Sequence, residues 1–229
     1  MLNNNTEQKK KDLLLIIRVL EDYLGVHDAN RTHNSVRLDD SMFSINPFNS
    51  RITKGLKVEH LCDLSYNEGA DVFGREIPPM LYRTHKAYYS NSDLNYFVHF
   101  HDPAVIAVAN REEGLKKLSQ DSLHVYRHLY HKKYTGLFDN HLTHDFTDVY
   151  KKTGKTVVLI QGHGGLVMSK TAEDALLKSY MLVRACRTQV LDFNSNIDMP
   201  DDDFDDELNA IVAQSMYNSF MNYYGDTLQ

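Results

Sequence analysis

Two stretches of the sequence place histidines where strands are expected to end, and imidazole is a common metal ligand. Residues 95–103 begin as an aromatic and β-branched run, which predicts a buried strand, and they include His99 and His101. Because residues i and i+2 of a strand point to the same face, both imidazoles should leave this strand side by side. Residues 155–165 predict a second buried strand, which ends in His163 between two glycines. These three histidines predict an open site for a divalent metal.

A purely structural role for these histidines is the competing interpretation. The chain contains 12 histidines, so a His-x-His pair alone is weak evidence for a metal site. The Gly-His-Gly sequence at the end of a second strand strengthens the metal interpretation, since glycines leave room for close approach to the imidazole between them. Residue types alone leave both interpretations open.

Composition limits the classes of protein to consider. The chain has 229 residues, of which 42% are hydrophobic, and this suits one domain with a sizeable core. The formal net charge of -6, without a dense basic cluster, argues against nucleic acid as a partner, and no apolar run is long enough to span a membrane. Cys62 and Cys186 are isolated in the sequence and the N-terminus is unlike a signal peptide, so we expect free thiols and a cytoplasmic location.

Helical and strand periodicities alternate along the chain and predict an α/β fold. Residues 1–9 are predicted to be a frayed polar tail, and a helix is predicted over residues 10–24, where Gly25 ends it. Residues 26–37 are polar and lack a clear period, which indicates a solvated loop that could line a pocket. A long helix is predicted from Thr171 to about Leu191.

We predict two parts, a domain over residues 1–197 and an appendage over residues 198–229. The appendage begins with an acidic linker and continues as a helix over residues 206–224 that has an apolar stripe. A helix beyond such a linker can pack on a neighbouring subunit instead of its own core, so the pattern predicts a homo-oligomer.

Blocks of sequence in a fixed order resemble the class II aldolase/adducin family, most closely its adducin-like branch. The resemblance implies a three-layer α/β/α sandwich around a mainly antiparallel central sheet. It also implies a homotetramer with sites between subunits, and zinc or another divalent ion held by His99, His101 and His163. The blocks are Ile-Asn-Pro-Phe (45–48), Val-His-Phe-His-Asp-Pro (98–103), Tyr-His-Lys-Lys-Tyr-Thr-Gly (130–136), Gly-His-Gly-Gly-Leu-Val (162–167) and Arg-Ala-Cys-Arg-Thr-Gln-Val (184–190).

The resemblance further implies a lyase that acts on a small, sugar-derived carbonyl substrate. In the sugar-phosphate aldolases of the family, the metal polarises a hydroxy-ketone and stabilises the enediolate, while a glutamate upstream of the His-x-His pair is the general base. At the matching position this chain has Met80, which cannot accept a proton as a carboxylate does. Tyr134, His131 and Glu76 are the candidates that remain for proton transfer, and Glu76 needs a shifted loop to reach the site.

The phosphate-binding loops of the family match altered sequences here, near residues 32–35, 48–49 and 78–79. Amides and hydroxyls in these places are still suited to bind an anion or a polar substrate, and the nearby guanidinium of Arg37 could add charge. The alternative to a lyase is a catalytically impaired, adducin-like binding or assembly protein that keeps the metal site. We favour the lyase, because three histidines with an open fourth position are typical of catalytic zinc sites. The candidate substrate-binding residues are His33, Asn34, Ser35, Arg37 and Asn49.

Overall fold

The computed structural model describes residues 4–26, 32–47, 55–67, 77–133, 141–192, 194–200 and 205–228. Within these ranges seven strands form one sheet. The strands are β1 (Ser35–Arg37), β2 (Met42–Ile45), β3 (Cys62–Ser65), β4 (Tyr96–Phe100), β5 (Leu129–Lys132), β6 (Val157–Ile160) and β7 (Gly164–Ser169). The α-helices are α1 (Asn4–Arg18), α2 (Pro79–Ser90), α3 (Pro103–Ala109), α4 (Gln120–Tyr126), α5 (His141–Thr153), α6 (Ala172–Leu191) and α7 (Asp206–Tyr224). A π-helical turn, Val19–Tyr23, continues α1, and short 3-10 helices span Val58–His60 and Gly225–Thr227.

The sheet is mixed and mainly antiparallel, as predicted. Its strand order is β3-β2-β1-β4-β7-β6-β5. Within the described ranges, β5 and β6 run parallel, and the other neighbouring strands run antiparallel. Strand β4 is the central strand, so it has backbone neighbours on both sides, and residues at its end are held firmly in place.

Helices cover both faces of the sheet and produce two hydrophobic layers. Alternate residues of β4 face opposite layers. Val98 packs with residues of α1, α3 and α6, whereas Phe97 packs with residues of α2 and α5. The predicted three-layer α/β/α sandwich is therefore confirmed. None of the helices in the described part of the chain is long and apolar enough to cross a lipid bilayer.

Side-chain caps fix the starts of the helices near the site. The carboxylate of Asp102 accepts hydrogen bonds from the backbone N–H groups of Ala104 (2.8 Å) and Val105 (3.3 Å), and Pro103 occupies the first position of α3. Thr171 caps α6 in the same way, through the N–H of Asp174. Because α3 starts directly after β4, its cap also fixes the path of the chain through residues 101 and 102.

Two local predictions are wrong. The predicted solvated loop ends earlier than Arg37, because residues 35–37 form β1, which pairs with β2 and β4 and fully buries Val36. The frayed tail over residues 1–9 is wrong from Asn4 onwards, where α1 begins. Contacts distant in sequence hold its first turns, since Lys10 forms a buried ion pair with Asp63 of β3.

Helix α7 packs on its own chain: Val212, Met216 and Phe220 of its apolar stripe lie against the hydrophobic cluster of α1 and α6, while Ile211 and Tyr223 of the same stripe are exposed. Ala213 and Tyr224 are buried in the same hydrophobic cluster as α1 and α6. The hydroxyl of Tyr217 donates to the carboxylate of Asp12 in α1 at 2.6 Å. Asn209 accepts a hydrogen bond from His124 of α4 at 2.5 Å. These contacts attach the end of the chain to three helices.

Candidate metal centre

Strand β4 and the turn between β6 and β7 bring the three predicted metal ligands together. Strands β4 and β7 are antiparallel neighbours, with His99 opposite Leu166. Strands β6 and β7 form a hairpin whose turn occupies residues 161–163, and a backbone hydrogen bond from His163 closes it. The tip of the hairpin therefore lies beside the end of β4, where His101 follows the last strand residue.

The three imidazoles face one another through their Nε2 atoms. Nε2 of His101 lies 3.0 Å from Nε2 of His99 and 3.4 Å from Nε2 of His163. The ligand atoms of all three lie within 4.8 Å of one another. Around a tetrahedral zinc ion with bonds of about 2.0–2.1 Å, neighbouring ligand nitrogens are about 3.3 Å apart. The donor set and its spacing fit zinc or a similar divalent ion.

The ring of His99 is held in the tautomer that a metal ligand needs. Its Nδ1 lies 2.9 Å from the carbonyl oxygen of Gly165. A carbonyl only accepts hydrogen bonds, so Nδ1 carries the proton and Nε2 keeps its lone pair. Burial, followed by the neighbouring His33, His101 and His163, holds the pKa of His99 well below its usual value. His99 is therefore neutral and ready to bind a cation at neutral pH.

Asn34 holds the backbone of His99 in place. Its Oδ1 accepts a hydrogen bond from the backbone N–H of His99 at 2.8 Å, and its own backbone N–H donates to Oδ1 of Asn46 at 2.5 Å. The side chain is almost fully buried. Sequence reasoning placed Asn34 among the substrate-binding residues, and the structure shows that its carboxamide oxygen supports a predicted metal ligand.

The glycines beside His163 allow backbone segments to approach closely. Gly162 has a φ of +69°, which favours glycine, and its N–H donates to Oδ1 of Asn110 at 2.6 Å. A Cβ atom on Gly164 would collide with the carbonyl oxygen of Phe100 and lie 3.2 Å from the ring of His101. Gly164 therefore permits the end of β4 and the tip of the hairpin to meet.

A chain of polar side chains lies next to the cluster. Nδ1 of His33 is 2.8 Å from Nε2 of His85, and Nδ1 of His85 is 2.6 Å from Oγ of Ser35, which is 2.6 Å from the hydroxyl of Tyr89. The ring of His33 borders that of His99, with centroids 4.7 Å apart. Burial, followed by His101 and His163, lowers the pKa of His33 to about 3.

His85 and Tyr89 were missed as site residues by sequence reasoning. Their spacing of four residues on α2 puts both on one face of the helix, and this signal was available. It is ambiguous on its own, because an aromatic helix such as α2 contains many such pairs. His85 and Tyr89 become recognisable as a pair only because both contact Ser35 of β1, and β1 itself was not predicted.

Other predicted site residues lie in different surroundings. The guanidinium of Arg37 donates to the carbonyls of Tyr89 (2.7 Å), Ser92 (2.8 Å) and Leu94 (3.1 Å). Nε2 of His131 donates to the carbonyl of Ala109 at 2.6 Å. Both side chains are thus engaged with backbone carbonyls at the edges of other elements.

Met80 lies in the first turn of α2. Three further candidates, Glu76, Tyr134 and Asn49, fall outside the described residues. Their predicted roles in proton transfer and substrate binding stay predictions.

The fold is that of a class II aldolase-type domain. The chain belongs to the class II aldolase and adducin N-terminal domain family, whose model matches residues 11–190. A relative from Caulobacter vibrioides, named "Putative aldolase class 2 protein", is 30% identical over 190 residues, which are 80% of this chain and 72% of the relative.

Solved structures with similar folds come from the same superfamily. An aldolase II superfamily protein from Pseudomonas syringae has a TM-score of 0.79 at 22% identity, with 96% of this chain and 93% of that chain covered. L-fuculose 1-phosphate aldolase from Glaciozyma antarctica has a TM-score of 0.76 at 18% identity, with 100% and 94% covered. At these identities the structures support the fold, and any shared substrate is a matter for proposal.

Proposed function

We propose that this chain is a metal-dependent lyase of the class II aldolase type that acts on a small, sugar-derived carbonyl substrate. The observation that carries the proposal is the convergence of three imidazole Nε2 atoms at the end of β4. His99, His101 and His163 would hold a divalent ion, by preference zinc, and leave one side open. When bound there, the ion supplies Lewis-acid polarisation of the substrate carbonyl.

Proton transfer in this proposal falls to a residue other than Met80. Glu76 and Tyr134 are our first candidates, because a carboxylate or a phenol can exchange a proton with the carbon or oxygen next to the carbonyl. His131 is the third, although its Nε2–H is engaged with the carbonyl of Ala109, which leaves Nδ1 as the nitrogen for this role.

We propose that the substrate is not phosphorylated. A phosphate site needs cationic or N–H donors that are free to bind it. Arg37, the cationic side chain among the predicted substrate-binding residues, donates to three backbone carbonyls. The candidates for binding a neutral polyol are then Asn49 and His33, with His33 first because it borders the cluster. Asn34 and Ser35 are buried and hydrogen-bond to the backbone N–H of His99 and to His85, so we assign them a positioning role.

The experiment is a retro-aldol assay on a panel of small ketoses and their 1-phosphates, with zinc-loaded wild type, chelator-treated wild type and His101→Ala. We expect zinc-dependent cleavage of unphosphorylated substrates that His101→Ala lacks. His60→Ala is the matched control, since His60 is exposed and lies outside the cluster. Faster cleavage of the 1-phosphates would contradict the proposed substrate class.

The second candidate function is an adducin-like binding or assembly role that retains the metal site. Met80, at the position expected for the general base, favours it. Met80→Glu separates the two candidates, because general bases contribute about 10²–10⁴-fold in rate. If wild type and Met80→Glu both bind zinc and neither cleaves any substrate, the binding role is the better account.

We also propose a cytoplasmic homo-oligomer, a tetramer by family resemblance. Support comes from exposed apolar side chains around a groove between α6 and α7, where Tyr23, Ile211 and Tyr223 are 57%, 61% and 74% exposed. Light scattering of wild type and of Ile211→Asp is the test. A monomeric wild type would defeat the proposal, and a smaller assembly in the variant would support it.

A further inference from the structure

A chain of hydrogen-bonding side chains beside the cluster leads from helix α2 to the half-buried imidazole of His33. It runs from Tyr89 through Ser35 and His85 to His33, with contacts of 2.6, 2.6 and 2.8 Å. Ser35 and His85 are fully buried and Tyr89 is 2% exposed. Each internal contact needs one donor and one acceptor, so the hydrogens must be arranged in a consistent direction along the chain.

Only one direction satisfies every hydroxyl in the chain. If Tyr89 donates to Ser35, then Ser35 donates to Nδ1 of His85, and Nε2–H of His85 donates to Nδ1 of His33. In the opposite direction, Nδ1–H of His33 would donate to Nε2 of His85, and Nδ1–H of His85 would donate to Ser35. The hydroxyl hydrogen of either Ser35 or Tyr89 would then have no acceptor among the described residues, and both hydroxyls are buried. An unsatisfied buried hydroxyl is unfavourable.

Neutral imidazoles are required for this arrangement, and the surroundings provide them. Burial, followed by the proximity of His33, holds the pKa of His85 well below its usual value. Aromatic rings surround His85, with Phe97 at 4.5 Å and Phe43 at 6.0 Å between centroids. A cation is therefore disfavoured in the middle of the chain.

The direction of the chain determines which nitrogen of His33 is free. Because Nδ1 accepts from His85, the proton of the neutral ring is on Nε2, at the other side of the imidazole from α2. The ring borders His99, and Nε2 of His33 is not among the ligand atoms that converge within 4.8 Å. A protonated ring nitrogen cannot bind a metal, and this agrees with the position of His33 beside the three clustered histidines and not among them.

We propose that His33 donates a hydrogen bond from Nε2–H to an oxygen of the carbonyl substrate, and that Tyr89, Ser35 and His85 fix the tautomer that makes this possible. This inference rests on the proposed function and adds a specificity residue to it. His33 binds the substrate, whereas the other three residues are positioning residues.

The first arm of the test reads the tautomer directly. Long-range nitrogen–proton NMR spectra of the uniformly ¹⁵N-labelled full chain, with His33→Gln to assign the signals, should show His33 protonated at Nε2 in the metal-free and zinc-loaded protein. Ser35→Ala removes the hydroxyl that makes Nδ1 of His85 an acceptor, so the His33 signals should shift towards a mixture of the two tautomers. Tyr88→Phe is the control, since this neighbouring buried hydroxyl donates to the carbonyl of Tyr96 instead. A wild-type His33 protonated at Nδ1 would overturn the inference.

The second arm measures ligand binding with acetohydroxamate, whose two oxygens chelate zinc and accept hydrogen bonds. Calorimetry on zinc-loaded protein should show binding weakened about tenfold in His33→Phe, which lacks the donor, with partial recovery in His33→Gln, which has one. Zinc content, measured in parallel, should stay at the wild-type level. If zinc-loaded wild type and zinc-loaded His33→Phe bind acetohydroxamate with equal affinity, the inference about His33 is wrong, and the proposed function is unaffected. A wild type that fails to bind zinc would defeat the proposed function and this inference with it.

Discussion

Two groups of histidines lie side by side in this protein and differ in how their nitrogens meet. In the chain that ends at His33, each contact can pair a donor with an acceptor, and burial keeps the members neutral. In the cluster, Nε2 of His99 is a lone pair that faces Nε2 of His101 at 3.0 Å. The first group is held together by its own hydrogen bonds and keeps Nε2–H of His33 as its donor to a ligand, whereas the second is suited to a shared cation.

The largest effect that separates the two groups should come from removing a cluster histidine. His163→Ala should lower zinc affinity by at least about a hundredfold. Loss of a residue that only supports a ligand typically costs about 10–100-fold in metal affinity, and this variant removes one of the three ligands themselves. Competition with a fluorescent zinc chelator measures the affinity, and His60→Ala is the control. Equal zinc binding in His163→Ala would show that the cluster is not the site.

Gly164→Ala should disturb the cluster without removing a ligand side chain. The added methyl group meets the carbonyl oxygen of Phe100 and the ring of His101, so we expect a loss of about 1–3 kcal/mol in the free energy of unfolding. Gly225→Ala is the control, because a Cβ there meets nothing within 4 Å. Urea denaturation followed by circular dichroism gives both values. Similar stability in the two variants would argue against a tight approach at Gly164.

The neutral state of His85 predicts a pH dependence for the chain of side chains. Its pKa in the folded protein lies well below the value of about 6.5 that is usual in an unfolded chain. Below about pH 6.5 the unfolded state binds a proton that the folded state does not, so acidification removes stability by up to about 1.4 kcal/mol per pH unit.

Replacing His85 tests this dependence. We expect the free energy of unfolding of metal-free wild type to fall more steeply from pH 6.5 to 5 than that of His85→Gln. Urea denaturation at several pH values measures both slopes. Parallel slopes would mean that His85 is protonated in the folded protein or is not buried.

The smallest effect should come from a satisfied polar contact outside both groups. Tyr217→Phe removes the hydrogen bond from α7 to Asp12, and we expect a loss of about 1 kcal/mol. Tyr223→Phe is the control, because Tyr223 is 74% exposed. Thermal unfolding by calorimetry compares them. A Tyr217→Phe protein as stable as wild type would show that water replaces the phenol without cost.

Local signals predicted much of the fold and the core of the candidate site. The alternation in β4 and the spacing of His99 and His101 place both imidazoles correctly on one face. Asp102 and Pro103 predicted the start of α3 because a cap acts within one turn of helix. The position of His163 at a strand end also follows from the apolar residues before it and the glycines on either side of it. Its proximity to the end of β4 depends on the order of strands in the sheet, which local sequence does not determine.

Features that depend on contacts distant in sequence were beyond the same reasoning. Strand β1 has three residues, of which Ser35 and Arg37 are polar. Their side chains can lie in a strand because groups of α2 hydrogen-bond to them, the imidazole of His85 to Ser35 and the carbonyl of Tyr89 to Arg37. The polar chain through His85 was missed for the same reason. The packing of α7 on its own chain stayed open, because an acidic linker says nothing about where the following helix returns.

The separation of the cluster residues along the chain has a consequence for folding kinetics. The hairpin of β6 and β7 is local, but the pairing of His99 with Leu166 closes a long stretch of chain. Such pairing forms late when folding proceeds from local contacts, so the three imidazoles should meet only after the transition state. A zinc ion held by His99, His101 and His163 would then slow unfolding and leave the folding rate almost unchanged.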